Sequence, residues 1–279
     1  MNHICVNGKI IADDEPAILA TNSSYRYGDG LFETMKIADG SILLSSFHFD
    51  RLFNGLQLLK VQVPQLLTAE KLLHEIPHLC KRNDCEQLAR VRLSVSRGHG
   101  GLYDNDQKLQ YVIESWPLNQ GSDKLNDNGL VIDIYPDIKK TCDVYSNLKS
   151  ANFLPYVMGT LYAKEHQLND CLILNTHGNI ADATTANLFM IKDRLISTPA
   201  LDQGGVDGVM RRYLLKELAD AGYTIKETAI SPADLETADE LFLTNAIKGI
   251  RWVKQYRNRK YTNSLTKELF ELLHRTISS

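Results

Sequence analysis

Asn147-Leu148-Lys149-Ser150-Ala151-Asn152 places a lysine in a short polar segment of the chain. Further on, the carboxylate Asp182 stands in the run Gly178-Asn179-Ile180-Ala181-Asp182-Ala183-Thr184-Thr185-Ala186-Asn187-Leu188-Phe189. A lysine is far more often a solvated surface charge than a nucleophile, so the residue types alone do not select Lys149 as a reactive group.

The composition restricts the class of protein. The chain has 279 residues, of which 43% are hydrophobic and 23% are charged, which is ordinary for a globular protein with a sizeable core. A net charge of −3 with scattered Lys and Arg gives no footprint for nucleic acid or an anionic membrane. No apolar run approaches the roughly 18 residues of a membrane span, and residues 1–8 do not resemble a signal peptide. We therefore expect a soluble protein with no nucleic-acid or membrane partner.

The cysteines indicate the redox compartment. The five are odd in number and widely spaced: Cys5, Cys80, Cys85, Cys142 and Cys171. Because a chain of this length needs no covalent staples, reduced thiols in a cytoplasmic protein fit best. Cys80 and Cys85 have no matching second pair, so the sequence predicts no metal site.

The first third of the chain predicts hairpins and a helix. Asn7-Gly8 and Asp39-Gly40 are two-residue turn signals between short apolar runs. Residues 88–95 and 109–116 have strand composition and bracket the glycine-rich loop Arg97-Gly98-His99-Gly100-Gly101. Apolar residues at helical spacing predict a helix with one apolar face, formed by Phe49, Leu52, Phe53, Leu56 and Leu59.

A polar segment over residues 119–129 is the best candidate for a linker. We therefore predict a small N-terminal domain over residues 1–118 and a C-terminal domain over residues 130–279. Strands and helices are mixed in both parts, which predicts an α+β or α/β protein of two domains.

The C-terminal part contains helix signals. Asp207 is predicted to cap a helix that ends before Gly222, and Ser231-Pro232 is predicted to start a shorter one. An earlier helix is predicted from the apolar residues Leu154, Val157, Met158 and Leu161.

The two quoted stretches resemble the signature of the class IV aminotransferases, the fold-type IV pyridoxal 5′-phosphate (PLP) enzymes. The family includes branched-chain and D-amino-acid aminotransferases and 4-amino-4-deoxychorismate lyases, and the resemblance extends over most of the chain. It implies a smaller N-terminal α/β domain, a larger C-terminal domain and PLP bound between them. It also implies a homodimer with active sites near the subunit interface.

The resemblance gives Lys149 and Asp182 their roles. Lys149 corresponds to the lysine whose amine binds PLP and then moves protons during the reaction. Asp182 corresponds to the acid that keeps the pyridine nitrogen of PLP protonated. That acid is usually glutamate, so Asp182 is one methylene shorter. Either the ring lies closer to the strand, or a water bridges the gap.

The resemblance also implies how the phosphate of PLP is held. Arg51 stands in a His-x-x-Arg-Leu setting like that of the family's phosphate arginine, although a solvated helix arginine is the ordinary alternative. Backbone N–H groups of Val209 and Met210 would bind the phosphate where a helix follows a glycine-containing loop. Asn245 and Ala246 would close this cradle. Many relatives have threonine in place of Ala246, so only its backbone N–H remains.

Three matches bear on the reaction. Thr34 stands where the lyases have a threonine that protonates the departing pyruvate, and the loop over residues 201–211 and Asn245 are also lyase-like. Against this, Leu102 stands where lyases place an arginine for a substrate carboxylate. The carboxylates must then be held by another group, for which Arg97 is a candidate.

The resemblance predicts a 4-amino-4-deoxychorismate lyase that forms p-aminobenzoate and pyruvate from a small amino substrate. Tyr27, Phe32 and Arg97 are expected to contact the substrate, with Tyr27 and Arg97 closing the pocket of the partner subunit. An aminotransferase of the branched-chain or D-amino-acid type, with a 2-oxo acid acceptor, remains as an alternative. A PLP-free interaction or storage protein is a third, against which the retention of Lys149 and Arg51 argues.

Overall fold

The computed structural model describes residues 2–103, 108–119, 121 and 124–277 and has a mixed α/β fold, as predicted. It divides into two compact units. Unit 1 comprises Met1–Ser122 and Lys149–Phe153, and unit 2 comprises Asp123–Leu148 and Leu154–Ser279. The linker predicted at 119–129 stays a prediction, because its residues 120, 122 and 123 lie outside the described part of the chain.

The described part of unit 1 contains a six-stranded antiparallel sheet. Its strands are β1 (His3–Val6), β2 (Lys9–Ala12), β3 (Gly30–Ala38), β4 (Ser41–Ile42), β5 (Leu88–Ser96) and β6 (Gln110–Pro117). They pair in the order β2-β1-β6-β5-β3-β4. Both predicted hairpin turns are confirmed, since Asn7-Gly8 and Asp39-Gly40 join paired strands and all four residues have positive φ.

Three helices of unit 1 are α1 (Ser23–Tyr27), α2 (Ser45–Leu58) and α3 (Ala69–Arg82). The apolar face predicted for α2 is confirmed, because Phe49, Leu52 and Leu56 are buried. This helix packs against β3. Strand β3 contains the predicted site residues Phe32 and Thr34, and α2 contains Arg51.

The described part of unit 2 contains a nine-stranded mixed sheet. Its strands are β7 (Leu130–Lys140), β8 (Asp170–Asn175), β9 (Ile180–Ala183), β10 (Asn187–Lys192), β11 (Leu195–Pro199), β12 (Ile225–Thr228), β13 (Glu240–Asn245), β14 (Gly249–Tyr256) and β15 (Arg259–Lys260). The order is β12-β11-β10-β13-β14-β7-β8-β9, with β15 paired to β14. The pairs β11–β12, β14–β7 and β7–β8 are parallel and the others antiparallel.

The helices of unit 2 are α4 (Leu154–Glu165), α5 (Val209–Asp220), α6 (Pro232–Thr237) and α7 (Ser264–Ile277). The start predicted at Ser231-Pro232 is confirmed, and Ser231 forms a capping box with Asp234. Among the described residues, no helix is long and apolar enough to cross a bilayer.

The cap predicted for α5 is wrong. The N-cap residue is Gly208, and Asp207 precedes it. The backbone N–H of Asp207 donates to the carbonyl of Asn147, 3.0 Å away, so a tertiary contact fixes this residue outside the helix. A side chain at Gly208 would collide with the amide oxygen of Asn187, and this close approach explains why glycine stands at the cap.

Helix α4 is confirmed, but the apolar residues that predict it are exposed. Its buried residues are Tyr156, Gly159 and Ala163 instead. A Cβ at Gly159 would lie 2.7 Å from the Thr184 methyl group, so the helix approaches this part of the unit too closely for larger side chains. The exposed residues are Leu154, Val157, Met158 and Leu161.

Candidate active site

Lys149 is fixed to the first residues of β3 in unit 1. Its carbonyl oxygen accepts a hydrogen bond of 2.9 Å from the N–H of Phe32, and the N–H of Ala151 donates to the carbonyl of Gly30 at 2.8 Å. Ser150 forms an isolated antiparallel bridge with Leu31. These two hydrogen bonds and the single bridge attach residues 149–151 to β3 and hold the lysine backbone in place.

Aromatic rings surround the lysine side chain. The Nζ atom of Lys149 lies 4.7 Å from the ring centroid of Phe32 and 5.5 Å from that of Phe153. These two rings contact each other edge to face, with centroids 5.2 Å apart. The amine thus lies over the faces of two aromatic rings, and both contacts belong to unit 1.

Thr34 lies on the same face of β3 as Phe32, because side chains two residues apart in a strand point the same way. Its cross-strand partner is Arg92 of β5. The guanidinium carbon of Arg92 lies 3.8 Å from the Phe32 ring centroid, and its Nε donates to Ser94 at 3.0 Å. Phe32 therefore contacts two cationic side chains, those of Lys149 and Arg92.

Sequence reasoning missed Arg92. The pKa of the Arg92 guanidinium is lowered, mainly by burial. The charge of Glu114 raises this pKa in part, and the charge of Arg90 lowers it further. A partly desolvated cation gains more from a carboxylate than a solvated one does. The signal was present in the sequence, since pairing β3 with β5 places an arginine beside Thr34, but the register was not known.

Arg51 is held by the buried carboxylate of Glu33, a residue of β3. Its Nε donates to Oε1 of Glu33 at 2.8 Å and its Nη2 to Oε2 at 2.6 Å. His48 Nδ1 lies 2.6 Å from the same Oε2. Burial opposes ionisation of Glu33, but the charge of Arg51 and the His48 hydrogen bond lower the pKa of its carboxyl to about 2. Burial lowers the pKa of His48, so this imidazole is neutral near pH 7 and donates from Nδ1.

Arg97 is occupied by the protein itself. Its Nε donates to Asp29 at 2.8 Å, and its Nη2 donates to the carbonyl of Leu59 at 2.6 Å. The structure thus gives Arg97 a part in fixing the loop that follows β5. Tyr27, the last residue of α1, is 47% exposed.

Asp182 is the centre of a buried polar cluster in unit 2. The residue is 2% exposed and lies on β9. Its Oδ2 accepts hydrogen bonds from the Tyr156 hydroxyl at 3.0 Å and the Val206 N–H at 2.9 Å, and Lys140 Nζ lies 3.4 Å away. Its Oδ1 is buried and has no hydrogen-bond partner among the described residues.

The loop before α5 is held by three hydrogen bonds that side-chain amides donate to its backbone carbonyls. The Asn147 amide donates to the carbonyls of Leu201 at 2.8 Å and Gly205 at 2.6 Å. The Asn187 amide donates to the carbonyl of Val206 at 2.8 Å. Helix α5 then begins at Val209 with Gly208 as its N-cap, so no side chain of the cap residue covers the N–H groups of the first turn.

Asn245 is the last residue of β13, and Ala246 follows it. The Asn245 amide donates to the carbonyl of Thr185 at 3.1 Å, and its Oδ1 accepts from the N–H groups of Ile247 and Lys248. The side chain of Asn245 therefore shapes the turn, which leaves the backbone as the part of this segment that can meet a ligand.

Unit 1 thus brings Lys149 and Arg92 to the Phe32 ring, with Thr34 paired to Arg92. It also contains the cluster of Arg51, Glu33 and His48, which is near enough to Lys149 for the lysine charge to lower the pKa of His48. Unit 2 brings Asp182 together with the loop that leads into α5.

Known proteins place this chain in a family. Residues 30–256 match the model of amino-transferase class IV. The chain is 31% identical over 255 residues to an aminodeoxychorismate lyase of Bacillus subtilis, covering 88% of this chain and 83% of the relative. It is 24% identical over 252 residues to a D-alanine aminotransferase of Listeria monocytogenes, covering 87% and 83%. A solved 4-amino-4-deoxychorismate lyase of Pseudomonas aeruginosa superimposes with a TM-score of 0.84 at 25% identity, covering 98% of each chain.

The chain belongs to the class IV aminotransferase family and has the fold of the fold-type IV PLP enzymes. It is an enzyme of this PLP-dependent family, and its cofactor is pyridoxal 5′-phosphate. The resemblance stated from the sequence is therefore confirmed.

Proposed function

We propose that the protein is a 4-amino-4-deoxychorismate lyase, which releases p-aminobenzoate and pyruvate. The observation that carries this proposal is Thr34, because its side chain shares a face of β3 with Phe32, whose ring lies 4.7 Å from the Lys149 amine. The 31% identity to the Bacillus subtilis lyase supports the same reaction.

The donor set of Asp182 fits the pyridine ring of PLP. A buried carboxylate oxygen without a partner costs about 1–3 kcal/mol or more, so Oδ1 calls for a donor. The pyridine N–H is such a donor. When bound and protonated at this nitrogen, PLP supplies an electron sink for the substrate's bonds. Asp182 would keep the proton on the nitrogen.

Arg51 and the start of α5 would hold the phosphate of PLP. Glu33 engages two N–H donors of Arg51 and thereby fixes the plane of the guanidinium. The N–H groups of Val209 and Met210 lie in the first turn of α5, where the helix dipole favours an anion. The backbone of Asn245 and Ala246 completes the proposed cradle.

Lys149 and Thr34 would carry the chemistry. Lys149 would hold the cofactor through its amine, and the same amine, once free, would take the ring proton of the substrate. Thr34 donates a proton to the enolpyruvyl group as its bond to the ring breaks. The ring becomes aromatic and the departing group leaves as pyruvate, so protons and electrons balance without an oxidant.

Arg92 is the cation that we assign to a substrate carboxylate. It is partly buried beside Phe32 and opposite Thr34, so it lies next to the proposed reacting groups. Arg97 is bonded to Asp29 and Leu59, and this supports a part in loop structure. Arg92 would then replace the arginine that is missing at Leu102.

We infer a homodimer in the cytoplasm. Helix α4 exposes the apolar side chains of Leu154, Val157 and Leu161, which suits a protein contact better than water. Tyr27 is an exposed aromatic residue of unit 1 and would contribute to the partner's pocket. The five cysteines are free, which suits a reducing compartment.

An aminotransferase is the second candidate, because the chain is also related to D-alanine aminotransferase of Listeria monocytogenes. The two activities separate in one experiment. Purified enzyme is given 4-amino-4-deoxychorismate and, separately, a D- or branched-chain amino acid with 2-oxoglutarate. Formation of p-aminobenzoate and pyruvate in equal amounts supports the lyase. Brisk glutamate formation without p-aminobenzoate contradicts it.

A further inference from the structure

Lys140, Tyr156 and Asp182 form a hydrogen-bonded chain within unit 2. Lys140 ends β7, Tyr156 lies on α4 and Asp182 lies on β9, so three elements meet at this cluster. Lys140 Nζ donates to the hydroxyl oxygen of Tyr156, and this hydroxyl donates to Asp182 Oδ2 at 3.0 Å. Lys140 Nζ also lies 3.4 Å from Oδ2 directly.

Three donors bond to the same oxygen of the Asp182 carboxylate. Oδ2 receives the Tyr156 hydroxyl, the Val206 N–H and the Lys140 ammonium, whereas Oδ1 is buried without a partner among the described residues. The carboxylate is therefore fixed at one end, with the other oxygen left for a donor that the protein does not supply.

Burial makes this cluster sensitive to the loss of one member. The side chains of Lys140 and Asp182 are 10% and 2% exposed. Burial, followed by the charge of Asp182, raises the pKa of the Tyr156 hydroxyl well above its ordinary value, so it remains a donor. An ionised carboxylate at this depth needs a nearby cation or donors to remain ionised.

We propose that Lys140 and Tyr156 are positioning residues that hold Asp182 by Oδ2 and direct its Oδ1 toward the pyridine N–H of PLP. This rests on the proposed role of Asp182. Glutamate usually stands at this position in the family, and the shorter aspartate has less freedom to reach the ring. The anchor on Oδ2 compensates by fixing the one geometry in which Oδ1 meets the ligand.

The charge of Lys140 also determines where the proton lies. Lys140 Nζ lies 3.4 Å from Asp182 Oδ2, the oxygen remote from the proposed ligand, so its charge would favour a carboxylate paired with a protonated pyridine over the neutral pair. The Tyr156 hydroxyl acts in the same direction, because a hydrogen bond to the charged form favours that form. Removal of either group should move the proton from the pyridine nitrogen to Asp182.

The test is the nitrogen-15 NMR signal of PLP labelled at the pyridine nitrogen and bound to the enzyme. Wild-type enzyme should show a protonated nitrogen near neutral pH. In Tyr156→Phe and Lys140→Met, the ratio of protonated to unprotonated nitrogen should fall about tenfold or more, as expected from the loss of a hydrogen bond to a charged group. PLP should also dissociate more readily from both variants.

Matched controls come from the same two elements. Lys139→Met removes an exposed lysine next to Lys140 on β7, and Tyr162→Phe removes a hydroxyl from the next turns of α4. Both should keep the wild-type signal. Circular dichroism of each apo-protein separates a folding defect from the proposed effect, and the two independent variants keep the test valid if one does not fold.

Asp182→Asn distinguishes the two levels of the proposal. If Asp182→Asn loses the protonated signal while Tyr156→Phe and Lys140→Met keep it, Asp182 binds the ring and the positioning role is wrong. If Asp182→Asn also keeps the signal, the role of Asp182 and the inference built on it are both wrong.

Discussion

Two buried carboxylates, one in each unit, are paired with cations in different ways. Both oxygens of Glu33 in unit 1 are bonded, to Arg51 and His48. In unit 2 only Oδ2 of Asp182 is bonded, and Oδ1 has no partner among the described residues. Glu33 is therefore complete within the protein, whereas Asp182 is complete only with a ligand.

The difference is the basis for the proposed roles of the two clusters. In unit 1, Glu33 fixes the guanidinium plane of Arg51, which would then bind an anion such as phosphate. In unit 2, Lys140 and Tyr156 bond to Oδ2 of Asp182, and Oδ1 would accept the pyridine N–H. The same chemistry of buried ion pairs thus supports a cation in one unit and an anion in the other.

The largest effect is expected at Lys149, the proposed attachment point of PLP. Lys149→Ala removes the only group at this position that can bond to the PLP aldehyde, so turnover should be abolished and no covalently bound PLP should remain. Lys164→Ala, on the exposed side of α4, should behave as wild type. Borohydride reduction followed by mass spectrometry measures the bound cofactor, and a reducible adduct in Lys149→Ala would mean that another lysine binds PLP.

Arg51→Ala tests the first group. It leaves Glu33 buried without its cation, so the free energy of unfolding should fall by about 3–5 kcal/mol. PLP binding should weaken by about 1.5–3 kcal/mol, the range for a hydrogen bond to a charged group. Arg82→Ala, exposed at the end of α3, is the control for both measurements. Unchanged PLP affinity in a titration of the folded apo-variant would remove Arg51 from the phosphate site.

The pH dependence of stability sharpens the comparison. The carboxyl of Glu33 has a pKa of about 2 in the folded protein, below its ordinary value of 4.5. Its stabilising contribution is therefore complete above pH 4.5 and is lost as the pH falls from 4.5 toward 2. In Glu33→Gln, which cannot ionise, the fall in unfolding free energy over this range should be smaller. Identical acid profiles for the two proteins would contradict the ion pair.

A smaller effect is expected on the KM for the substrate, and Arg92 and Arg97 should differ in it. Arg92→Met should raise the KM for 4-amino-4-deoxychorismate about tenfold or more, with a smaller change in kcat, because a carboxylate loses its cation. Arg97→Met should lower thermal stability and leave KM nearly unchanged, since Arg97 is bonded to Asp29 and Leu59. Steady-state kinetics of the two variants measure KM and kcat. A raised KM in Arg97→Met with an unchanged KM in Arg92→Met would mean that Arg97, and not Arg92, binds the substrate carboxylate.

Local features of the fold could be predicted, and tertiary ones could not. The turns at Asn7-Gly8 and Asp39-Gly40 follow from residues that tolerate positive φ, so two adjacent residues suffice. The cap at Asp207 was predicted wrongly, because Asn147 and Asn187 hold the loop from distant positions in the chain.

The candidate site shows the same division. The resemblance selected Lys149, Arg51 and Asp182, but not the groups that support them. Glu33 and Tyr156 are distant from their partners in the sequence, and each pairing depends on how strands and helices pack. Arg92 becomes visible only when the register of β3 and β5 is known.

The most direct test of the proposed reaction is the effect of Thr34→Val on p-aminobenzoate formation. Valine keeps the shape and strand preference of threonine and removes only the hydroxyl, whose general-acid contribution is roughly 10²–10⁴-fold. We expect p-aminobenzoate formation to fall by at least about tenfold. Any slow transamination of an amino acid by the same preparation should be nearly unchanged, because Lys149 alone moves the protons in that reaction. Wild-type p-aminobenzoate formation by Thr34→Val would contradict the role of this hydroxyl and with it the lyase mechanism.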